Sequence, residues 1–200
     1  MPTTTFLTLN TPSVSVDKSV HNLYYQNIDT IFTPPPDTVA IEQVLDTTSS
    51  YFNPYTKNLQ IGDEFIYTCN GDYYTATQSN TSSGYLVFSF YKNGVKTFEH
   101  IFYLNHTQMN TPSKYNVHIH QIVKQSNLVT SNATINIFTI SGSVQVTNSV
   151  IRYEESVIDT TTPGVFGIHD TLNVEFRNTS TTESPYFSLK NLKIKIFPFN

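Results

Sequence analysis

Two hundred residues with a net charge of −4 and a single cysteine are enough for one domain with its own core, and all-β domains of this length often stay undivided. Charged residues are only 13% of the chain and the sole arginines are Arg152 and Arg177. That excludes the basic stripe or arm of a nucleic-acid binder, because each phosphate contact needs a cation. One cysteine, Cys69, excludes an intrachain disulfide framework.

The first 38 residues are polar, with a short alternating patch at Thr5 to Leu9 and a stiff Pro34-Pro35-Pro36 segment that cannot enter a sheet ladder. They read as an extended N-terminal arm, residues 1–38, ahead of a domain spanning 39–200. The opening lacks both a basic start and an apolar run, and no stretch is long enough to span a bilayer. A soluble intracellular product, or a mature piece of a larger assembly, is expected.

From Val39 a two-residue rhythm begins. "VAIEQVL" alternates, and the following "GDEFIYTCNGDYYTAT" predicts a hairpin that turns at Asn70-Gly71. Cys69 falls in its apolar pattern and reads as a buried structural thiol. The clearest hairpin is "YLVFSFYKNGVKTFEHIFYL", Tyr85 to Leu104, with Asn93-Gly94 supplying the positive φ angles of a two-residue turn. Leu86, Phe88 and Phe90 share one face of its first strand. Phe98, Phe102 and Leu104 share a face of its second, with His100 between them.

"YNVHIHQIV" puts Val117, Ile119 and Val123 on one side and His118, His120 and Ile122 on the other. "ATINIFTISGSVQVTNSVIRY" predicts another hairpin, turning at Ser141-Gly142-Ser143. "DTLNVEFR" is a further strand, and "YFSLKNLKIKIFPFN" points Leu192, Ile194 and Ile196 inward with Lys193 and Lys195 outward. No helix, repeat or low-complexity tract is visible. Roughly ten strands joined by tight turns and longer connections predict an all-β, antiparallel two-sheet sandwich of jelly-roll type. Aromatic residues, 14% of the chain, bury a large area each and suit its thin core.

No constellation of side chains announces chemistry. His118 and His120 share a strand face, and His100 or His106 could be a third metal ligand, but no acidic residue or cysteine sits beside them in sequence; a polar strand face is the plainer reading. Glu154, Glu155 and Asp159 form the only acidic cluster and read as an exposed loop. Asp29 and Asp37 lack any calcium-loop pattern. "TTTPGVFGIHD", Thr160 to Asp170, has glycines but no Lys-Ser/Thr ending, so it reads as a flexible connection and not a phosphate loop. Four glycosylation sequons, at Asn80, Asn105, Asn132 and Asn178, are about what this composition gives by chance. Expected catalytic, cofactor and metal residues are therefore none, and the chain is not expected to be an enzyme.

The order of arm, hairpin-paired strands and a closing strand, over residues 39–200, resembles a single jelly-roll viral capsid protein. It is most similar to the penton (vertex) proteins of virophage-type small icosahedral DNA viruses, whose coding is AT-rich and which lack basic packaging arms. Here Asn, Ile, Tyr, Phe and Lys outnumber Ala, Arg and Gly. The resemblance implies a virion component assembled in the host cytoplasm. It implies a homopentamer at the five-fold vertices that contacts the major capsid protein through its arm and does not bind nucleic acid directly. Tyr51, Phe52, Tyr55, Phe197 and Phe199 are candidate interface residues, and the loops Gln78–Gly84 and Thr160–Gly167 are expected together at one end. "GYLVFSFYKNGVKTFEH" is also similar to the hairpin of trimeric jelly-roll heads of the tumour-necrosis-factor or complement kind. That likeness implies instead a homotrimeric receptor- or carbohydrate-binding head or fibre knob.

Overall fold

The computed structural model describes residues 21–32, 39–43, 52–53, 55, 57–74, 83–105, 113–141, 144–178 and 186–199; of 21–32, 39–43, 74, 83, 105, 139–141 and 144–152 it describes the backbone only. Ten strands follow in chain order: β1 His21–Phe32, β2 Val39–Gln43, β3 Glu64–Tyr74, β4 Ser83–Lys92, β5 Val95–Asn105, β6 Ser113–Gln125, β7 Leu128–Ser141, β8 Val144–Val157, β9 Thr171–Asn178 and β10 Tyr186–Phe197. No helix is long and apolar enough to cross a membrane among the described residues.

All paired strands run antiparallel. One sheet has six strands in the order β1-β10-β3-β6-β7-β8, the other four in the order β2-β9-β4-β5. Set aside the β7–β8 hairpin and the remainder is an eight-stranded jelly roll, in which strands from the two ends of the chain pair in each sheet. The hairpin extends the larger sheet past β6.

The pleat explains the core. β6 is buried at every other residue from Ser113 to Val123, and β9 alternates along its length. From the larger sheet Phe65, Tyr67, Val117, Ile119, Leu192 and Ile194 point inward; Leu86, Phe88, Phe90, Phe102, Val174 and Phe176 answer from the smaller one. Aromatic edges meet across the gap, as in Tyr67 against Phe90 at 5.0 Å between ring centroids. The β4–β5 hairpin turns where expected, with Asn93 at φ 52° and Gly94 at φ 76°.

Three expectations change. Asn70-Gly71 is not a turn: β3 runs straight through it and stays in register with β6 from Glu64↔Ile122 to Tyr73↔Ser113. A glycine is needed there for a different reason, since a Cβ on Gly71 would lie 1.8 Å from the Ser188 carbonyl oxygen. Strand pairing also begins inside the stretch read as an arm, because His21–Phe32 forms β1 against β10; residues 1–20 and 33–38 lie outside the described residues.

The third change concerns the segment after β8. Thr160 to His169 is a packed plug and not a loose connection. Phe166, Ile168 and His169 are fully buried, and two bridges, Gly164↔Gly167 and Phe166↔His169, fold the segment on itself. Gly167, at φ 78°, gives Phe65 the space a Cβ would take. The Lys92 ammonium donates to the Thr162 carbonyl, and the Thr160 hydroxyl donates to the Ser126 carbonyl.

Candidate binding site on the outer sheet face

The strand order leaves the outer face of the larger sheet uncovered by any described element, and there the polar half of the alternation lines up across strands. Asn70, Asn116 and Asn136 are register partners on β3, β6 and β7. Asn191 of β10 adds a fourth amide, its Nδ2 donating to Asn70 Oδ1 at 3.2 Å. One step along lie Asp72, Lys114 and Phe138, and one step back Thr68, His118 and Thr134.

A bulge shapes this surface. The β10 ladder breaks between Lys190 and Lys193, and Asn191 sits there in the left-handed region at φ 52°, which asparagine tolerates better than most residues. Against the bulge lie two adjoining recesses of about 370 Å³ and about 430 Å³. Asn70, Asn116 and Asn191 line both. The first also takes Asp72, Lys114, Lys190 and half-buried Phe138; the second takes Thr68, His118 and Lys193.

The charges are arranged at the margin. Lys190 Nζ lies 2.9 Å from Asp72 Oδ2, and the Asp72 amide donates to Ser188 Oγ at 2.9 Å. Beneath the floor, the Tyr115 hydroxyl donates to the Ser188 carbonyl at 2.7 Å. Its ring crosses over Gly71 and anchors the distorted part of β10. Amides on the floor, ammonium groups around it and one phenyl ring make a surface that can hydrogen-bond hydroxyls and carry a negative charge.

Of the histidines weighed as metal ligands, two lie on one face. His118 and His120 do share the outer face, but His120 Nε2 lies 3.0 Å from Glu64 Oε2. Burial and the charge of His120 push the His118 imidazole below its ordinary pKa. His100 belongs to the other sheet and is buried in the core between them, and His106 lies outside the described residues. No group of three or more metal-ligating side chains occurs among the described residues. Asp29 is described in backbone only and Asp37 not at all.

The acidic cluster divides its roles. Glu154 Oε2 accepts from the Glu99 amide at 3.0 Å, closing the gap between the edge strands β5 and β8. Asp159 accepts from the Thr161 amide and hydroxyl. Glu155 accepts from the Tyr153 hydroxyl. Cys69 is buried as expected, and burial raises its thiol pKa.

The core holds polar groups, of which the alternation of the sequence marks only His100. His169 Nε2 lies 2.8 Å from Gln121 Oε1 and its Nδ1 3.2 Å from Thr97 Oγ1. His100 Nε2 lies 2.7 Å from Ser131 Oγ. Burial drives both imidazoles down, His100 to about 4 and His169 to about 3, so both are neutral at pH 7 and do structural work.

Of the candidate interface aromatics, Phe52 packs on Phe166 at 4.9 Å and Tyr55 sits edge-on to Phe65 at 6.4 Å. Tyr55 belongs to the core, and Phe52, partly buried, packs against it. Phe197 is half-buried and Phe199 is 60% exposed; Tyr51 lies outside the described residues. Of the two loops expected together, Thr160–Gly167 packs beside the β4–β5 and β6–β7 turns, and residues 78–82 of the other lie outside the described residues.

No protein-family model matches the sequence, and no curated protein matches it. Among solved structures the chain is similar to the CBM2 module of the evolved Dit of Lactobacillus casei BL23 phage J-1, at 9% identity and TM-score 0.37, covering 90% of this chain and 97% of that one. It is similar to arcelin-5, a lectin-like defence protein of Phaseolus vulgaris, at 12% identity and TM-score 0.40, covering 90% and 99%. A chain of infectious bursal disease virus, Gx strain, is similar at 11% identity and TM-score 0.34, covering 91% of this chain and 43% of that one. The likeness is that of one β-sandwich to another.

Proposed function

We propose that this chain is a structural, non-enzymatic jelly-roll subunit of a virus particle that self-associates, with the homopentameric penton at five-fold vertices as its form and the major capsid protein as its neighbour. The observation that carries this reading is the strand order. A jelly roll with β1-β10-β3-β6 in one sheet and β2-β9-β4-β5 in the other is an architecture that viral shells use. Its flanks are unlike: β5 and β8 edge one side, β1 and β2 the other. A closed ring joins one kind of surface to a different one around its axis, and this fold offers such a pair. Among the described residues, five of the seven exposed large apolar side chains, Ile61, Val95, Val157, Val165 and Phe199, belong to segments at the plug end, a surface suited to contact with another chain.

Light scattering coupled to size exclusion tests this directly. A mass of five chains is expected, and a stable trimer would overturn the pentamer. Removing residues 1–20 should leave that mass unchanged while abolishing incorporation into particles. A second reading, a trimeric receptor- or carbohydrate-binding head, is favoured by the recess on the outer sheet face, since such a head needs a ligand site and a shell subunit does not.

A further inference from the structure

We propose that Asn93-Gly94, at the tip of the β4–β5 hairpin, is a self-modifying site: its side-chain amide is lost as ammonia in the folded protein, while Asn70-Gly71 stays intact. This goes beyond the subunit role and does not depend on it. The sequence has two Asn-Gly steps. In such a step the glycine nitrogen can attack the asparagine Cγ, because no Cβ obstructs it. The new N–Cγ bond closes a succinimide ring. The Cγ–Nδ2 bond breaks, and its electron pair leaves with the nitrogen, which takes the glycine proton and departs as ammonia. Water then opens the ring and is the only co-reactant. Opening at the side-chain carbonyl gives an aspartyl residue; opening at the main-chain carbonyl gives an isoaspartyl residue, whose main chain runs through Cβ.

Geometry separates the two steps. Asn93 and Gly94 are both exposed, and a Cβ on Gly94 would meet nothing within 4 Å. Among the described residues, the one hydrogen bond to this pair from outside the hairpin runs from the Asn93 amide to Asp170 Oδ2, at 2.8 Å. It lies on the N-terminal side of the Asn93 Cα. The Cα–C rotation that swings the Gly94 nitrogen toward Cγ is therefore left open, and a glycine at φ 76° has the freedom to follow. Asn70-Gly71 is the reverse case. It lies mid-strand, with Asn70 paired to Asn116 and Gly71 to Tyr115. Asn70 Oδ1 is held by Asn191 Nδ2 at 3.2 Å, and Gly71 is buried against the Ser188 carbonyl and the Tyr115 ring. Ring closure there needs β3 to leave its neighbours, and a central strand opens only with much of its sheet.

The change has a structural target. Asp170 accepts from the Asn93 amide on Oδ2 and from the Val165 amide, at 2.9 Å, on Oδ1, so one carboxylate ties the hairpin tip to the plug. A new carboxylate at residue 93 sets a like charge beside it. An isoaspartyl link also lengthens a two-residue turn, and turn length fixes the register of a hairpin. Both products loosen the plug, at the end of the molecule where Val95 and Val165 are exposed.

The experiment holds the full chain folded in warm, mildly alkaline buffer and follows both sites by peptide mapping with mass spectrometry. A parallel sample unfolded in urea is the reference. In the folded chain the peptide holding Asn93 should convert at least an order of magnitude faster than the one holding Asn70, with isoaspartate among its products. In urea the two should convert at similar rates, since both are Asn-Gly. Modified protein, separated by anion exchange, should show a lower urea midpoint than unmodified protein. An Asn93 peptide that stays intact in the folded chain while it converts in urea overturns the proposal. So do equal rates at the two sites in the folded chain, because the strand would then protect nothing. An unchanged urea midpoint would overturn the link to the plug.

Discussion

The two faces of the larger sheet are made of the same strands and differ only in which alternate residues they show. On β3 and β6 the inner face reads Phe65, Tyr67, Cys69, Val117, Ile119 and Gln121, while the outer face reads Thr68, Asn70, Asp72, Lys114, Asn116 and His118. One face is closed by the second sheet and the other is open to water. The consequence is a separation of duties: inner substitutions should change stability, and outer ones should change what the protein touches.

The most severe break is Gly71→Ala. Gly71 faces inward, and the added methyl would meet the Ser188 carbonyl at 1.8 Å and the Tyr115 hydroxyl at 2.5 Å. Both are fixed, one by backbone and the other by its hydrogen bond to that same carbonyl. β10 would have to separate from β3, which removes the strand joining β1 to the rest of the sheet. The expected outcome is loss of soluble, folded protein, read as yield and far-ultraviolet circular dichroism.

Next in size is acid. His100 and His169 are fully buried and neutral, with folded pKa values of about 4 and about 3 against an ordinary 6.5. The unfolded chain therefore takes up protons first as the pH falls below 6.5. Stability is complete above that value and declines down to about pH 4 for His100 and about pH 3 for His169. At about 1.4 kcal/mol per unit, His100 alone accounts for about 3 kcal/mol. The neighbouring Glu154 carboxylate, 3.8 Å from His100 Nδ1, works against part of that loss while it is ionised. Urea midpoints at pH 7, 5.5 and 4 should fall steadily, and His100→Gln should flatten the curve; a level profile would show that these imidazoles are hydrated.

How much of this was legible depends on the range of the interaction. Alternation is local, so β4, β5, β6, β9 and β10 and their inward residues could be read directly, as could the Asn93-Gly94 turn. Asn70-Gly71 has the same local chemistry and the opposite outcome, because what fixes it is Ser188, more than a hundred residues away. The plug was hidden for a similar reason: its glycines suggest looseness until Phe65 is seen packed against Gly167. The amide row was present in the sequence as polar positions, yet only the register of three strand pairs brings Asn191, Asn70, Asn116 and Asn136 side by side. Treating Asn70 as a turn residue removed it from that row altogether. β1 escaped because its sequence, HNLYYQNIDTIF, breaks the alternation where its pairing with β10 is itself irregular, between Asn22 and Tyr24 and between Gln26 and Asp29.

On the outer face the effects shrink. Asp72→Asn removes the ion pair with Lys190 but leaves the backbone hydrogen bond to Ser188 in place. Both side chains are partly exposed, Lys190 at 35% and Asp72 at 24%, so solvent screens the pair and about 0–1 kcal/mol is at stake. Whatever loss is seen should vanish by 1 M salt, where charges a few ångströms apart are screened. A loss that persists in salt would mean that Asp72 supports the β10 bulge through geometry.

Asn116→Ala should do least of all to stability, and for that reason it sharpens the comparison most. Its side chain is exposed in the centre of a six-stranded sheet, between Asn70 and Asn136. Alanine leaves the ladder hydrogen bonds of β6 intact and removes no apolar area from the core. A change within about 0.5 kcal/mol is expected in the urea midpoint. Asparagine is also among the poorer strand residues, so the sign could favour alanine. Were the variant instead destabilised by 2 kcal/mol or more, the amide row would be a structural ladder holding β3, β6 and β7 in register. The outer face would then belong to the fold as fully as the inner one does. A neutral result leaves three neighbouring strands carrying amides that stability does not require, which is the condition a ligand site has to meet.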